Sequence, residues 1–268
     1  MKILILGDVM GLSGREAVQK NLSKIIEENK INFSVINGEN AADDGRGITK
    51  KIAENFFSLG IDVITSGNHI WDKQETTSYI ENERRLLRPA NLAEGTPGKG
   101  FGVYLTKDKK YKIGVINLMG NVFMRKTDDV FSVAKKISEK IILKKNVDFS
   151  IVDFHGEITS EKMAIGHFFD GFSTCVVGTH THVPTADTRI LSKGTAYQTD
   201  IGMCGDYNSV IGMNKENSIM RFFKDKKATK HFPSNGEGTL SGIIVEADEE
   251  TGLAKKVNRI IVGGSLVN

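Results

Sequence analysis

The chain alternates short apolar runs with longer stretches in which apolar residues recur every three or four positions. Ile3 to Leu6 is an uninterrupted apolar run of the kind a buried strand shows, and Gly14 to Asn29 carries Val18, Leu22, Ile25 and Ile26 at helical spacing. Phe33 to Ile36 reads as the next strand. Thr49 stands where it would cap a helix with Ile52, Phe56 and Leu59 on its apolar side and Gly60 at its end. Ile61 to Thr65 follows as a third strand and Gln74 to Glu83 as a helix. Phe101 to Thr106 and Tyr111 to Asn117 flank a polar turn and predict a β-hairpin, followed by a helix from about Asp128 to Lys145. Asp148 to Asp153 and Thr174 to Val177 read as short strands around a helix from Ser160 to Phe169. Strands then dominate, at Thr188 to Leu191, Thr195 to Gln198, Leu240 to Glu246 and Val257 to Val262, interrupted by a helix near Lys215 to Phe223. Strand–helix repeats that give way to hairpins predict an α/β chain with mixed sheets packed face to face, helices outside, and a single domain over residues 1–268.

Composition changes this picture little. The net charge is +3, too small to argue for nucleic-acid binding by itself and compatible with an anionic substrate. Lysines around Lys107 to Lys110 and Lys224 to Lys230 read as solvated surface. The two cysteines, Cys175 and Cys204, have no Cys-x-x-Cys spacing, which points to a reducing, cytoplasmic compartment with Cys175 as a small core residue. The N-terminal apolar run stops at Gly7-Asp8, too soon for a signal peptide, and no run is long enough to span a bilayer.

The polar residues just past the strands carry the chemistry. Asp8 follows the first strand, Glu39 and Asn40 the second, and Asn68 and His69 the third. His155, with Glu157 close behind, follows the strand ending at Asp153, and His180 and His182 follow the next. In open α/β sheets, ligand-binding residues gather beyond the carboxyl ends of strands. An Asp or Asn after a strand is ordinarily a turn or cap residue, and a lone His is ordinarily structural. Five successive strand ends with carboxylate, amide or imidazole donors argue against that bland explanation. Oxygen and imidazole donors without thiolate suit Fe, Mn, Zn or Ni rather than a cysteine site. Seven candidates, Asp8, Glu39, Asn40, Asn68, His155, His180 and His182, are too many for one tetrahedral ion and suit two. Paired ions bridged by a carboxylate and a water clamp the attacking and leaving oxygens of a displacement at phosphorus. An extended His180-Thr181-His182 would aim both rings into one crevice.

These residues, in this order, resemble the calcineurin-like metallophosphoesterases, and among them the bacterial YmdB-like phosphodiesterases. The likeness runs nearly end to end. It includes Asn-Gly-Glu-Asn-Ala-Ala at 37–42, Gly-Asn-His-x-Trp-Asp at 67–72, Arg-Pro-Ala-Asn at 88–91 and Gly-Thr-Pro-Gly-Lys-Gly at 95–100. It continues with Asp-Phe-His at 153–155, Gly-Thr-His-Thr-His-Val at 178–183 and Gly-Thr-Ala-Tyr at 194–197. The resemblance implies a four-layer αββα sandwich and two divalent or mixed-valence metal ions, iron first, with Mn or Zn as alternatives. It implies that Asp8, Asn40 and His182 hold one ion, that Asn68, His155 and His180 hold the other, and that Glu39 bridges them. Three departures stand out, the first being Glu39 as the bridge where the wider superfamily usually has aspartate. The wider superfamily has Asp-x-His where this chain has Asp8-Val9-Met10, and the branch pattern has arginine where this chain has Asn121. His69 is left as general acid: a metal-bridging hydroxide would attack phosphorus and His69 would protonate the leaving alkoxide, with Asp72 as the carboxylate that could hold its ring charged. The implied substrates are small phosphodiesters, 2′,3′-cyclic nucleotides above all. An RNA substrate and a homo-oligomer are both compatible with the sequence.

Other features read as decoys or remain open. Gly7 to Arg15 lacks the Gly-Lys-Ser/Thr of a phosphate loop, and Asp8 would repel a phosphate there. Arg46 could contact phosphate or be solvated, and Trp71 could stack on a base or pack in the core. Gly205-Asp206-Tyr207 could wall the pocket or form an oligomer contact, while His167 and His231 read as structural or surface residues. The competing functions are a phosphomonoesterase or nuclease on the same core, and a nucleotide-sensing protein with little turnover. An intact His69 argues against the sensor. An amidohydrolase would carry its His-x-His at the first strand, where this chain has Asp8.

Overall fold

A computed structural model describes residues 1–266. The first half builds β1 (Lys2–Val9), α1 (Gly11–Asn29), β2 (Phe33–Asn37), α2 (Lys50–Leu59), β3 (Val63–Thr65) and α3 (Gln74–Asn82). The hairpin β4 (Phe101–Leu105) and β5 (Lys112–Met119) leads into α4 (Val130–Ser138), β6 (Phe149–His155), α5 (Thr159–Phe168) and β7 (Cys175–Thr179). The chain closes with β8 (Arg189–Ile190), β9 (Ala196–Gln198), β10 (Met203–Cys204), α6 (Lys215–Phe222), β11 (Leu240–Ala247) and β12 (Ala254–Val262).

Two sheets result. The first runs β12-β11-β1-β2-β3, with β10 joined to the far end of β1; the second runs β4-β5-β6-β7-β9-β8. The central strands β1 to β3 are parallel, as are β5, β6, β7 and β9. Side chains alternate across each strand. Ile3 and Ile5, Phe33 and Val35, and Val63 therefore meet Val115, Phe149, Ile151 and Val177 in a core between the sheets. The opposite faces bury Leu4, Leu6 and Ile36 under α1 and α2, and Ile116, Val152, Phe154 and Val176 under α4 and α5. The layers are thus α, β, β, α, as the resemblance implies. Their parallel strands present their carboxyl ends at one edge of the sandwich, where the donors lie.

Local signals explain most boundaries. Thr49 Oγ1 accepts the Ile52 N–H at 3.3 Å, and Gly60, at φ 109°, closes α2. The expected helix over 128–145 is the main misreading: α4 starts behind its Asp129 cap but stops at Ser138. Asn146 Oδ1 takes the Ile142 N–H at 2.9 Å, and Lys144 turns left-handed at φ 59°. A side-chain amide thus competes with the helix, and the resulting turn buries both Ile141 and Val147. Two donor strands are longer than expected, since Asp8 lies within β1 and His155 is the last residue of β6. Among the described residues, no helix is long and apolar enough to cross a membrane.

Candidate metal centre

Each sheet contributes one chemical type. Asp8 at the end of β1, Glu39 and Asn40 after β2 and Asn68 after β3 are oxygen donors from the first sheet. His155 on β6 and His180 and His182 after β7 are imidazoles from the second. Asp8, Glu39, His155 and His182 are buried, and Asn68 and His180 are partly so.

His155 Nε2 is the focus. It lies 3.0 Å from Glu39 Oε1, 3.2 Å from Asn68 Oδ1 and 3.1 Å from His180 Nδ1. One N–H cannot serve three neighbours, whereas one cation can. Donor atoms about 3 Å apart form the edges of a coordination shell with bonds of about 2.1 Å. Donor atoms of Glu39, His155 and His180 all fall within 4.8 Å of one another. Gly67 is what permits this crowding: a Cβ there would sit 2.2 Å from Glu39 Oε2 and 2.3 Å from His155 Nε2.

The outer nitrogen of each imidazole is tied down. His155 Nδ1 donates to Thr179 Oγ1 at 3.0 Å, His180 Nε2 to Glu157 Oε2 at 2.9 Å, and His182 Nδ1 to the Ile211 carbonyl at 2.8 Å. Each ring is left with one inward nitrogen, the arrangement metal-ligating histidines adopt. His182 Nε2 faces Asn40 Oδ1 at 3.3 Å, and Asn40 is oriented by its own N–H to the Gly45 carbonyl at 2.9 Å. Asp8 Oδ2 accepts the His180 N–H at 3.1 Å, while its Oδ1 is buried without a hydrogen-bond partner among the described residues. The orphaned oxygen lies 3.6 Å from His155 Nδ1, which already donates to Thr179, and a buried carboxylate oxygen so placed fits a neighbouring cation. The residues Glu39, His155 and His180 therefore suit a metal ion, and His182 faces Asn40 beside them.

Electrostatics agree. Burial alone would raise Glu39, but the adjacent His155 holds it down to about 2. Burial alone would lower His155, but Glu39 and Asp8 hold it up to about 9. Burial pushes Asp8 up to about 6 against the pull of His182 and His155. Burial and the charge of His155 push His180 down to about 3. In the absence of an ion, a proton on His155 offsets part of the negative charge of Glu39 and Asp8.

The expectation of an extended His-x-His fails. The strand ends at Thr179, and His180 and His182 both take left-handed backbone, at φ 95° and 65°. Such conformations cost on the order of 1–3 kcal/mol each and persist where surroundings over-determine them. Here the surroundings are Asp8 on the His180 N–H, Tyr207 O–H on the His182 carbonyl at 3.1 Å, and Asp200 on Thr181 between them. Asp200 Oδ2 accepts the Thr181 N–H at 3.1 Å and its hydroxyl at 2.6 Å. It also accepts 2.7 Å from Nζ of Lys162, which is buried on α5.

That clamp, and a second one, escaped the sequence reading. Asp153 is buried inside β6, where it accepts from Thr179 Oγ1 at 2.8 Å, Asn37 Nδ2 at 3.0 Å and Thr65 Oγ1. Asn37 Oδ1 in turn takes the Glu39 N–H at 3.1 Å. Asp153 thus supports His155 through Thr179 and Glu39 through Asn37. A carboxylate inside an apolar run was the available signal for it.

His69 stands at the rim. Its N–H donates to Glu39 Oε2 at 3.1 Å, and Nδ1 meets Asp72 Oδ2 at 2.8 Å, which leaves Nε2 free. Arg125 lies 3.6 Å from the other Asp72 oxygen. Trp71 packs against the outer core of the first sheet, and Asn121 caps its own loop by accepting the Val130 N–H at 2.9 Å. Tyr207 and buried Asp206 have internal structural partners, the His182 carbonyl and the Gly236 N–H. Burial pushes the Cys175 thiol far up, as an inert core residue requires.

A sandwich of two mixed sheets with these donors on its carboxyl edge has the fold of the calcineurin-like metallophosphoesterases. A 5′-nucleotidase structure from Candida albicans shares it at TM-score 0.58 and 12% identity, over 97% of this chain and 51% of that one. The chain belongs to the family described as YmdB-like protein, whose model matches residues 4–260. It is 45% identical over 262 residues to a Bacillus subtilis protein named 2′,3′-cyclic-nucleotide 2′-phosphodiesterase, covering 98% of this chain and 97% of that protein. A structure described as a novel phosphatase from Mycoplasma pneumoniae matches at TM-score 0.89 and 37% identity, over 98% of this chain and 93% of that one.

Proposed function

We propose that the protein is a di-metal phosphodiesterase that opens 2′,3′-cyclic nucleotides. The observation that carries this reading is the convergence of three anchored imidazoles on buried oxygen donors, with His69 beside them. Asp8, Asn40 and His182 would hold one ion, Asn68, His155 and His180 the other, and Glu39 would lie between. Nitrogen and oxygen donors without thiolate suit iron, manganese, zinc or nickel, and the family resemblance favours iron among them. When bound, such ions supply Lewis acidity toward the phosphoryl oxygens and an activated water.

The chain's own residues do the rest. The name of the Bacillus subtilis relative points to the bond between phosphorus and O2′. As a water oxygen bonds to phosphorus, the bond to O2′ breaks and its electron pair goes to O2′, which needs a proton. Asp72 holds the Nδ1 side of His69, so the imidazole presents Nε2 to the leaving oxygen and can donate there. The product is a 3′-phosphomonoester.

The test is a panel on metal-reconstituted protein: 2′,3′-cAMP, 3′,5′-cAMP, bis(p-nitrophenyl) phosphate and p-nitrophenyl phosphate, with parent and His69→Ala. The expected result is preference for diesters, and a loss of about 10²–10⁴ in kcat in the variant at unchanged metal content. Preferential monoester hydrolysis would overturn the diesterase reading. An unimpaired variant would remove His69 from the chemistry.

A further inference from the structure

Helix α6 is inverted. Its buried residues are the polar Asn217 and Ser218, while Ile219, Phe222 and Phe223 point outward, the two phenyl rings 81% and 82% exposed. Phe232 on the returning segment is also exposed. The same stretch is strongly basic. Residues 215–232 hold six cations, Lys215, Arg221, Lys224, Lys226, Lys227 and Lys230, against Glu216 and Asp225. That balance of +4 exceeds the +3 of the whole chain, so the excess positive charge of the molecule sits here. Exposed rings interleaved with cations cost solubility unless something covers them.

The segment is not slack. Asn214 Oδ1 caps α6 on the Asn217 N–H at 2.9 Å, Asn217 Oδ1 takes the Thr229 N–H at 2.8 Å, and Arg221 reaches the Thr229 carbonyl at 2.9 Å. The Asn214 N–H closes onto the Phe232 carbonyl at 3.0 Å. The strap so formed borders the metal centre. Ile211, just before it, anchors His182, and Pro233, just after it, packs where a Cβ on Gly45 would lie, 3.0 Å away. Gly45 in turn orients Asn40. The charges of Arg46 and Arg221 both reach His231 and, after burial, help lower its pKa.

We propose that residues 215–232 bind single-stranded RNA, with phosphates on the lysines and arginine and bases stacked on Phe222 and Phe223. The substrates of the adjoining site then include phosphodiesters carried on an RNA strand, an inference that rests on the phosphodiesterase reading. Non-specific single-strand binding combines a cationic track with aromatic platforms, since every base has a stackable face. A polyanion complements the charge, and an edge shared with a phosphodiester-cleaving centre gives that polyanion a reason to be there.

Two measurements on the full-length, metal-loaded protein test this. Fluorescence anisotropy of a labelled 12-nucleotide RNA, in a His69→Ala background that slows cleavage, reads binding. Kinetics of the parent on a 12-mer ending in a 2′,3′-cyclic phosphate and on 2′,3′-cAMP read use. F222A/F223A and K224E/K226E/K227E should each weaken 12-mer binding, and kcat/KM on it, about tenfold or more, with 2′,3′-cAMP turnover within about twofold of the parent. Raising salt from 50 to 200 mM should cost on the order of 100-fold in affinity for five phosphate contacts. Equal losses on both substrates, no RNA binding, or binding unaffected by the variants would overturn the proposal. So would strap-dependent binding to phosphatidylserine vesicles, or strap-dependent dimerisation in sedimentation, without RNA affinity. Strap-dependent RNA binding in a protein inactive on 2′,3′-cAMP would sustain the strap and sink the small-substrate reading instead.

Discussion

Replacing Lys162 by methionine removes a charge from a place water does not reach. Lys162 and Asp200 are 1% and 0% exposed, and their atoms meet at 2.7 Å. Removing one partner of a buried pair costs about 3–5 kcal/mol, because the survivor stays charged and uncompensated. Asp200 keeps the Thr181 N–H and hydroxyl and the Gly202 N–H at 2.8 Å, so the cost should fall at the lower end, about 3 kcal/mol. That is a large part of the 5–15 kcal/mol typical of a folded domain. The double variant Lys162→Met/Asp200→Asn leaves no stranded charge and should recover at least half of the loss. The clamp also fixes Thr181 between His180 and His182, so Lys162→Met should weaken metal binding by about 10–100-fold, the range for outer partners of ligating histidines. Urea unfolding of the metal-free parent, both single variants and the double variant gives the first quantity; calorimetric titration with Mn²⁺ gives the second. Lys162→Met within about 1 kcal/mol of the parent, with unchanged Mn²⁺ affinity, would refute the clamp.

Two further outcomes follow from the same centre. In the metal-free protein, the His155 pKa stands at about 9 rather than the ordinary 6.5. Its protonated form thus contributes stability that is complete below pH 6.5 and is lost as pH rises through 9, at up to about 1.4 kcal/mol per pH unit. Asp8 and Glu39 titrate below that window, at about 6 and 2. Thermal melts from pH 6 to 10 should show the decline, and a flat profile in the metal-free protein would contradict the His155–Glu39 pairing. Gly67→Ala should fold yet lose most of its metal, because the new methyl would overlap Glu39 and His155 while Gly67 itself needs no left-handed backbone. Full metal occupancy by elemental analysis would count against the crowding argument.

The donors were legible because each closes or follows an apolar run, and position at the end of a strand is a one-dimensional property. Caps such as Thr49 and Gly60 are legible for the same reason. What supports the donors was not. Lys162 lies on a helix whose period does not distinguish a buried lysine from a solvated one, and its partner is 38 residues further on. The left-handed turns at His180 and His182 arise from Asp8 and Asp200, acceptors that reach them only after the sheets have docked. The early end of α4 depends on one amide, that of Asn146, competing for the backbone, which apolar periodicity does not register. Read by charge alone, Lys224 to Lys230 look like ordinary solvated surface; the exposed rings beside them give the segment its distinct character.

The division of donors between the sheets bears on folding kinetics. Oxygens come from β1, β2 and β3 and imidazoles from β6 and β7, so neither half of the chain alone holds a complete shell. Asp8 and His180 meet across 172 residues of sequence, a closure that forms late in folding. An ion bound there acts as a clasp between the two sheets. Its binding energy is absent from early, partly assembled states and present only once the sandwich has shut. Such an energy lowers the rate of opening while leaving the rate of folding nearly unchanged. A metal held there would thereby lengthen the life of the closed molecule as well as serve its chemistry.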